Sequence, residues 1–275
     1  MATSILYDKV LSPFYDVLAA RLFPDFVHPN VITLMGGGCA SLALIAIRAE
    51  AYGYAAALFI CYSSLDNMDG KHARRTNQCS RLGAFLDHGI DGSIGLLAGY
   101  EAVSGAVFGL APSMYWRGYH ATSCVWLAPH VVALFTGKLD LGTRLLSVDE
   151  AFLGTSLTLA LASVQGAPLL DGSAPIFGGL ERCDALFAAF YAISAAYVVA
   201  TALLGFGVGE PASSRAAKPP AAAAPPRLSG GTRWALTLAY AAFWSAPWPN
   251  GPGLHSLMPF GWPVLMCTML AAGLL

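Results

Sequence analysis

Apolar runs recur along the chain at roughly 31–48, 51–68, 86–110, 118–136, 148–168, 185–207, 233–248 and 255–275. Each approaches the 20 or so residues that a helix needs to cross a bilayer. Lipid offers no partner to free backbone groups, so such runs must be helical. The pattern predicts an all-α polytopic membrane protein of about eight transmembrane helices. The seventh run is short, and the second and third carry charges at one end. The segment 5–23 differs. Ile5, Leu6, Val10, Leu11, Phe14, Val17, Leu18 and Leu22 recur at helical spacing with Asp8, Lys9, Asp16 and Arg21 between them. That pattern predicts an amphipathic helix lying on the membrane surface, interrupted only by Pro13. Pro24 and Pro29 then break the chain before the first span.

Composition agrees. Of 275 residues, 56% are hydrophobic and 11% are charged. Soluble domains carry about 25% charged residues. The mean hydropathy of +0.58 also excludes an ordinary soluble enzyme or a disordered chain. A net charge of -1 excludes a strongly basic nucleic-acid binder. Six cysteines stand singly, mostly in apolar runs, without zinc spacing, and read as packing residues. The first 23 residues lack a continuous apolar core, so no cleavable leader is expected.

If the spans alternate, twelve basic residues fall on one side: Lys9, Arg21, Lys71, Arg74, Arg75, Arg81, Lys138, Arg144, Arg215, Lys218, Arg227 and Arg233. Three fall on the other: Arg48, Arg117 and Arg182. The positive-inside rule then puts the N-terminus and the region 70–85 in the cytosol. Residues 208–232 are rich in Pro and Ala and read as a flexible cytosolic linker. The predicted organisation is an interfacial helix (1–30), a six-span core (31–207), that linker, and a two-span tail (233–275).

Charge, scarce elsewhere, is concentrated between Asp66 and Asp91. The segment holds Asp66, Asp69, Lys71, Arg74, Arg75, Arg81, Asp87 and Asp91. Ionisable groups at the edge of an apolar span are costly and mark function. Asp66 and Asp69 are i, i+3 on one helix face, and Asp87 and Asp91 are i, i+4 on another. A short loop at 75–82 makes the two helices antiparallel neighbours, so four carboxylates can converge. Together they would repel, and one or two divalent cations are the natural neutraliser. Hard oxygen donors suit Mg²⁺ or Mn²⁺ rather than zinc. Gly70, Ala73 and Gly83 leave room for a flat group to approach the backbone. Arg74, with Lys71 and Arg75 nearby, can hold phosphate oxygens. These features together suggest a nucleotide diphosphate and substitution at phosphorus. His88 sits about 100° from Asp87 and about 60° from Asp91 around a helix. A neutral imidazole there can accept a proton, which makes it the candidate general base. The residue pattern alone allows equally a boundary histidine hydrogen-bonded to Asp87 or Asp91.

The string D66-N-M-D69-G70-K-H-A73-R74, followed at fixed spacing by G83, D87 and D91, resembles the full signature of the CDP-alcohol phosphotransferase family. DGKHARRTNQCSRLGAFLDHGID is similar to the choline and ethanolamine phosphotransferase branch in particular, with His72 where that branch commonly has Gln. The likeness covers about residues 8–150. It implies transfer of phosphocholine or phosphoethanolamine from its CDP carrier to diacylglycerol, releasing CMP. By the same likeness, Asp66, Asp69, Asp87 and Asp91 would hold the metals, and His88 would be the base. Asp91 is treated as the base in other branches. Asn30, Thr33, Gly70, Lys71, Ala73 and Gly83 would line the nucleotide pocket, with Arg74 on phosphate. The likeness also implies an endomembrane location (endoplasmic reticulum or Golgi), a site facing the cytosol, and homodimer contacts through later spans.

Competing readings remain in view. A relative using CDP-diacylglycerol and a soluble alcohol, such as a phosphatidylinositol synthase, shares the aspartate pattern, but the histidine after Asp87 argues against it. An ion transporter would carry acids along a span, whereas these cluster at one face. An inactive scaffold is the third reading. His72 reads as a solvated loop residue, and His120, His130 and His255 carry no assigned role. Asp149 and Glu150 open the fifth span as ordinary helix-dipole partners near the site. Gly36–Gly38 predict close helix packing.

Overall fold

The computed structural model describes residues 4–110, 148–166, 168–175 and 181–205, with isolated positions between 122 and 132. The predicted linker at 208–232 and the two-span tail at 233–275 lie outside the described residues. Of the predicted span 118–136 only isolated positions are described. Among the described residues no strand forms apart from one isolated bridge between Pro175 and Glu181. The remaining elements are helices joined by short turns and loops.

A wide-turn segment, Tyr7–Leu11, leads into α1, Ser12–Leu22. Pro13 falls in the first turn of α1, where a missing N–H costs least, so the helix tolerates it. Ile5, Val10, Phe14, Val17 and Leu22 are all exposed, giving α1 the apolar outer surface that its spacing predicts. Helix α2, Pro29–Arg48, starts with proline in its first turn, and the His28 side chain accepts the Asn30 backbone N–H at 3.2 Å. Ala49–Ala51 reverse the chain, with Glu50 left-handed at φ 56°. Helix α3, Tyr52–Arg75, returns alongside α2. Helix α4, Arg81–Ile90, is capped by Ser80, whose hydroxyl accepts the Gly83 N–H. It runs on through a π turn at Asp91–Gly95, then α5, Leu96–Ala102, and a second π turn at Val103–Val107. Helices α6, Val148–Gln165, and α7, Arg182–Gly205, follow.

Among the described residues two helices, Pro29–Arg48 and one within α7, Arg182–Thr201, are long and apolar enough to cross a membrane by composition. Eight such helices are not established. The predicted spans at 51–68, 86–110 and 148–168 do coincide with helices. The second span runs a further two turns than its apolar stretch, so Asp69, Lys71 and Arg74 sit on α3 itself.

The core explains the close approach of α2 to its neighbours. Gly36, Gly37, Ala40 and Ala43 are buried along one side of α2. A Cβ on Gly37 would stand 2.9 Å from Ile90 Cδ1, so any larger residue there would make the Ile90 side chain shift. Gly38 has open space instead. Phe59 of α3 packs edge-on to Phe152 of α6, ring centroids 5.5 Å apart, and Tyr62 packs tilted against the same ring at 5.3 Å. Burying such rings supplies about 1.5–3 kcal/mol each relative to water.

Candidate active site

The end of the bundle near the α3–α4 connection gathers the charged residues. Asp66 of α3, Asp87 of α4 and Asp91 at the first π turn bring carboxylate oxygens within 4.8 Å of one another. Among the described residues none of the three forms an ion pair. Oxygens across a Mg²⁺ octahedron lie about 4.2 Å apart, given bonds of 2.0–2.1 Å. The trio therefore fits a hard divalent cation, and three like charges at this separation favour one. Asp69 stands outside the trio, one turn further along α3. It is buried and takes a hydrogen bond from the Thr33 hydroxyl of α2. Of the four predicted carboxylates, the structure groups three and pairs the fourth with Thr33.

His88 follows Asp87 on α4. Its Nδ1 is buried and has no hydrogen-bond partner among the described residues. Its ring meets the His130 ring edge-on, centroids 5.8 Å apart. His130 is itself fully buried, with Nδ1 2.8 Å from the Trp126 carbonyl.

The predicted nucleotide residues divide into two groups. Gly70 lies under the Arg74 guanidinium, since a Cβ there would be 3.2 Å from Nη1. Gly83 opens α4 beside Asn30 of α2, and a Cβ would meet Asn30 Oδ1 at 3.1 Å. Arg74 is exposed and Ala73 half-buried on the same helix. Lys71 turns away from this group. Its ammonium is buried between Ser12 Oγ at 2.7 Å and Asp16 Oδ1 at 2.9 Å on α1, near the Tyr7 ring. Burial raises the Tyr7 phenol to about 12, with Asp149 adding to the rise and Arg74 opposing it. Tyr7 therefore stays neutral at physiological pH.

Two sequence readings are corrected. His72 is not a solvated loop residue. It is fully buried on α3, with Nε2 2.8 Å from the Val27 carbonyl and Nδ1 3.0 Å from Arg75 Nη2. The helix extends past the apolar stretch and turns His72 under the segment that joins α1 to α2. Arg75 also reaches the Phe23 carbonyl and Asp25. Asp149 does more than open its helix: it accepts from Asn67 Nδ2 at 2.8 Å, tying α6 to α3 next to Asp66.

One residue at the site escaped the sequence reading. Tyr62 donates its hydroxyl to Asp91 Oδ1 at 2.7 Å and is 1% exposed. It precedes Asp66 by four residues, on the same face of α3. That spacing is the signal that could have found it.

The sequence model of the CDP-alcohol phosphatidyltransferase family matches residues 26–137. A human protein named cholinephosphotransferase 1 is 32% identical over 165 residues, covering 56% of this chain and 40% of its own. An Arabidopsis thaliana choline/ethanolaminephosphotransferase 1 is 34% identical over 116 residues, covering 37% and 28%. A CDP-diacylglycerol--serine O-phosphatidyltransferase from Encephalitozoon cuniculi is 29% identical over 153 residues, covering 50% and 38%. The chain spans about two-fifths of the length of the human relative. The segment that matches the CDP-alcohol phosphatidyltransferase model, residues 26–137, encloses the three clustered aspartates, Asp69 and His88.

Proposed function

We propose that this protein transfers phosphocholine or phosphoethanolamine from the CDP-alcohol to diacylglycerol, yielding phosphatidylcholine or phosphatidylethanolamine and CMP. The observation that carries the reading is the carboxylate trio of Asp66, Asp87 and Asp91 beside the His88 imidazole, whose buried Nδ1 has no partner among the described residues. The relatives named for choline and ethanolamine transfer support the choice of substrate class.

In this reading Asp66, Asp69, Asp87 and Asp91 hold one or two Mg²⁺ or Mn²⁺ ions. When bound, such an ion would offset the phosphate charge and stabilise the departing phosphate. Arg74 holds a phosphate oxygen above Gly70, where the absence of a side chain leaves room for it. Gly83 and Asn30, with Ala73, border the nucleotide, while Thr33 fixes the rotamer of Asp69. His88 accepts the proton of the diacylglycerol hydroxyl. The freed oxygen bonds to the phosphorus carrying the head group, and the bond from that phosphorus to the CMP oxygen breaks. The proton stays on the imidazole until solvent removes it. Diacylglycerol would arrive sideways from the bilayer, which fits a site at one end of an apolar bundle. The cytosolic face of the endoplasmic reticulum or Golgi, and a homodimer, complete the proposal.

A second reading has one observation in its favour, the relative named for CDP-diacylglycerol and serine. Both readings are tested together. The purified full chain is given diacylglycerol, Mg²⁺ or Mn²⁺, and labelled CDP-choline or CDP-ethanolamine in parallel, with His88→Ala as control. Labelled phospholipid and CMP, lost in the variant, support the proposal and identify the head group. No product from either carrier, with consumption of CDP-diacylglycerol instead, overturns it in favour of the second reading.

A further inference from the structure

Tyr62 occupies an unusual place. Its ring belongs to the core, edge-on to Phe59 at 5.5 Å and tilted against Phe152 at 5.3 Å. Its hydroxyl belongs to the site, bonded to Asp91 Oδ1 at 2.7 Å. A buried phenol costs free energy unless its O–H finds a partner. Here the partner is one oxygen of a carboxylate that also belongs to the cluster with Asp66 and Asp87.

The opposing helix is shaped to permit this. Asp91–Gly95 form a π turn, a geometry that recurs at functional sites. A Cβ on Gly95 would stand 2.0 Å from the Tyr62 oxygen and 2.6 Å from Cζ. Backbone and ring lie on both sides of that contact, so neither can yield cheaply. Gly95 is therefore the notch through which the phenol reaches Asp91. Metal-ligating carboxylates elsewhere are commonly held by such outer hydrogen bonds, and losing one costs about 10–100-fold in metal affinity or activity.

We propose that Tyr62 is a positioning residue that holds Asp91 in the orientation needed to share a divalent cation with Asp66 and Asp87, and that Gly95 exists to admit its hydroxyl. The proposal rests on the metal-dependent reading above. Tyr62 touches no reacting atom. Its effect runs through Asp91.

The test uses the full-length protein purified in detergent, with Tyr62→Phe as the main variant. This change removes one oxygen and keeps the ring, so the contacts with Phe59 and Phe152 persist. Mn²⁺ binding is read by electron paramagnetic resonance without any substrate, and thermal unfolding is read alongside. The expected result is Mn²⁺ affinity weakened about 10-fold or more, with an unfolding midpoint close to wild type. In turnover assays the metal concentration for half-activation should rise by the same factor. At saturating metal, KM for the CDP-alcohol should stay within about twofold of wild type. Gly95→Ala should weaken Mn²⁺ binding from the other side of the contact. Unchanged Mn²⁺ affinity in Tyr62→Phe overturns the proposal, as does a wild-type protein that binds no Mn²⁺. Weakened Mn²⁺ binding in a protein that consumes no CDP-alcohol leaves the role of Tyr62 standing and removes the substrate reading alone.

Discussion

The strongest stability prediction concerns the opposite end of the bundle. Arg48, last residue of α2, gives two bonds to Glu101 on α5, Nε to Oε2 at 2.7 Å and Nη2 to Oε1 at 2.6 Å. The Glu101 side chain is 3% exposed, while Arg48 is 52% exposed. Removing one partner of a buried pair costs about 3–5 kcal/mol, mostly because the other charge is left behind. Arg48 is half in solvent, so part of its loss is recovered by water, and the expected cost of Arg48→Met is about 2–3 kcal/mol. That corresponds to a fall in unfolding midpoint of about 5–10 °C, at about 2–4 °C per kcal/mol. Replacing both groups, Arg48→Met with Glu101→Met, removes the stranded charge and should return stability to within about 1 kcal/mol of wild type. The assay is thermal unfolding of the detergent-solubilised protein by tryptophan fluorescence, run as a double-mutant cycle. Glu101 lies ten residues beyond Asp91 along one helical rod, about 15 Å at 1.5 Å per residue. Turnover per folded molecule should therefore be unchanged in all three variants. An Arg48→Met protein as stable as wild type, or a double variant worse than either single one, would refute the reasoning.

Further predictions address the site. Asp87→Asn should abolish turnover, and His88→Ala should lower it about 10²–10⁴-fold, each with normal membrane insertion; full activity in either would sink the assignment of the site. Chelation with EDTA should abolish head-group transfer, and Mg²⁺ or Mn²⁺ should restore it. Lys71→Met removes the ammonium that joins α3 to Ser12 and Asp16. It should expose the segment 4–22 to limited proteolysis while leaving KM for the CDP-alcohol within about twofold of wild type. His72→Ala should cost about 1–3 kcal/mol through the unpaired Val27 carbonyl, read as a lowered unfolding midpoint with metal affinity intact.

The sequence made the aspartate end legible because two periodicities agree. Spacings of three and four put each pair of carboxylates on a helix face, and the surrounding apolar runs made charge conspicuous. What stayed hidden depended on rotation about helix axes. Asp69 and Asp66 share a face in projection, yet Thr33 on α2 captures Asp69 and separates it from the trio. Lys71 lies inside the same charged string, but its long side chain follows α1 rather than the phosphate side. The surroundings of His72 were misread for a related reason. Charged residues dilute hydrophobicity without breaking a helix, so α3 runs on to Arg75, and His72 is buried where a loop was expected. Tyr62 was read as part of an apolar run because nothing in a one-dimensional pattern distinguishes a core phenol from one with a partner on a neighbouring helix.

The two ends of the bundle treat buried charge in opposite ways, and the contrast argues for where function lies. At the Arg48 end, one carboxylate meets one guanidinium through two short bonds, and the pair is electrically closed. Such an arrangement holds helices together and has little left to offer a ligand. At the Asp66 end, three carboxylates face one another with no ion pair among the described residues, and a phenol takes up one oxygen of Asp91. A fold that can close a charge at one end and leaves charge open at the other tolerates that cost for a purpose. The open end also carries the imidazole with a free nitrogen and the glycine beneath Arg74. In the proposed function, cation, phosphate and proton would each find a receiving group there. A purely structural cluster of acids would need its counter-charges built in, and among the described residues no ion pair supplies them.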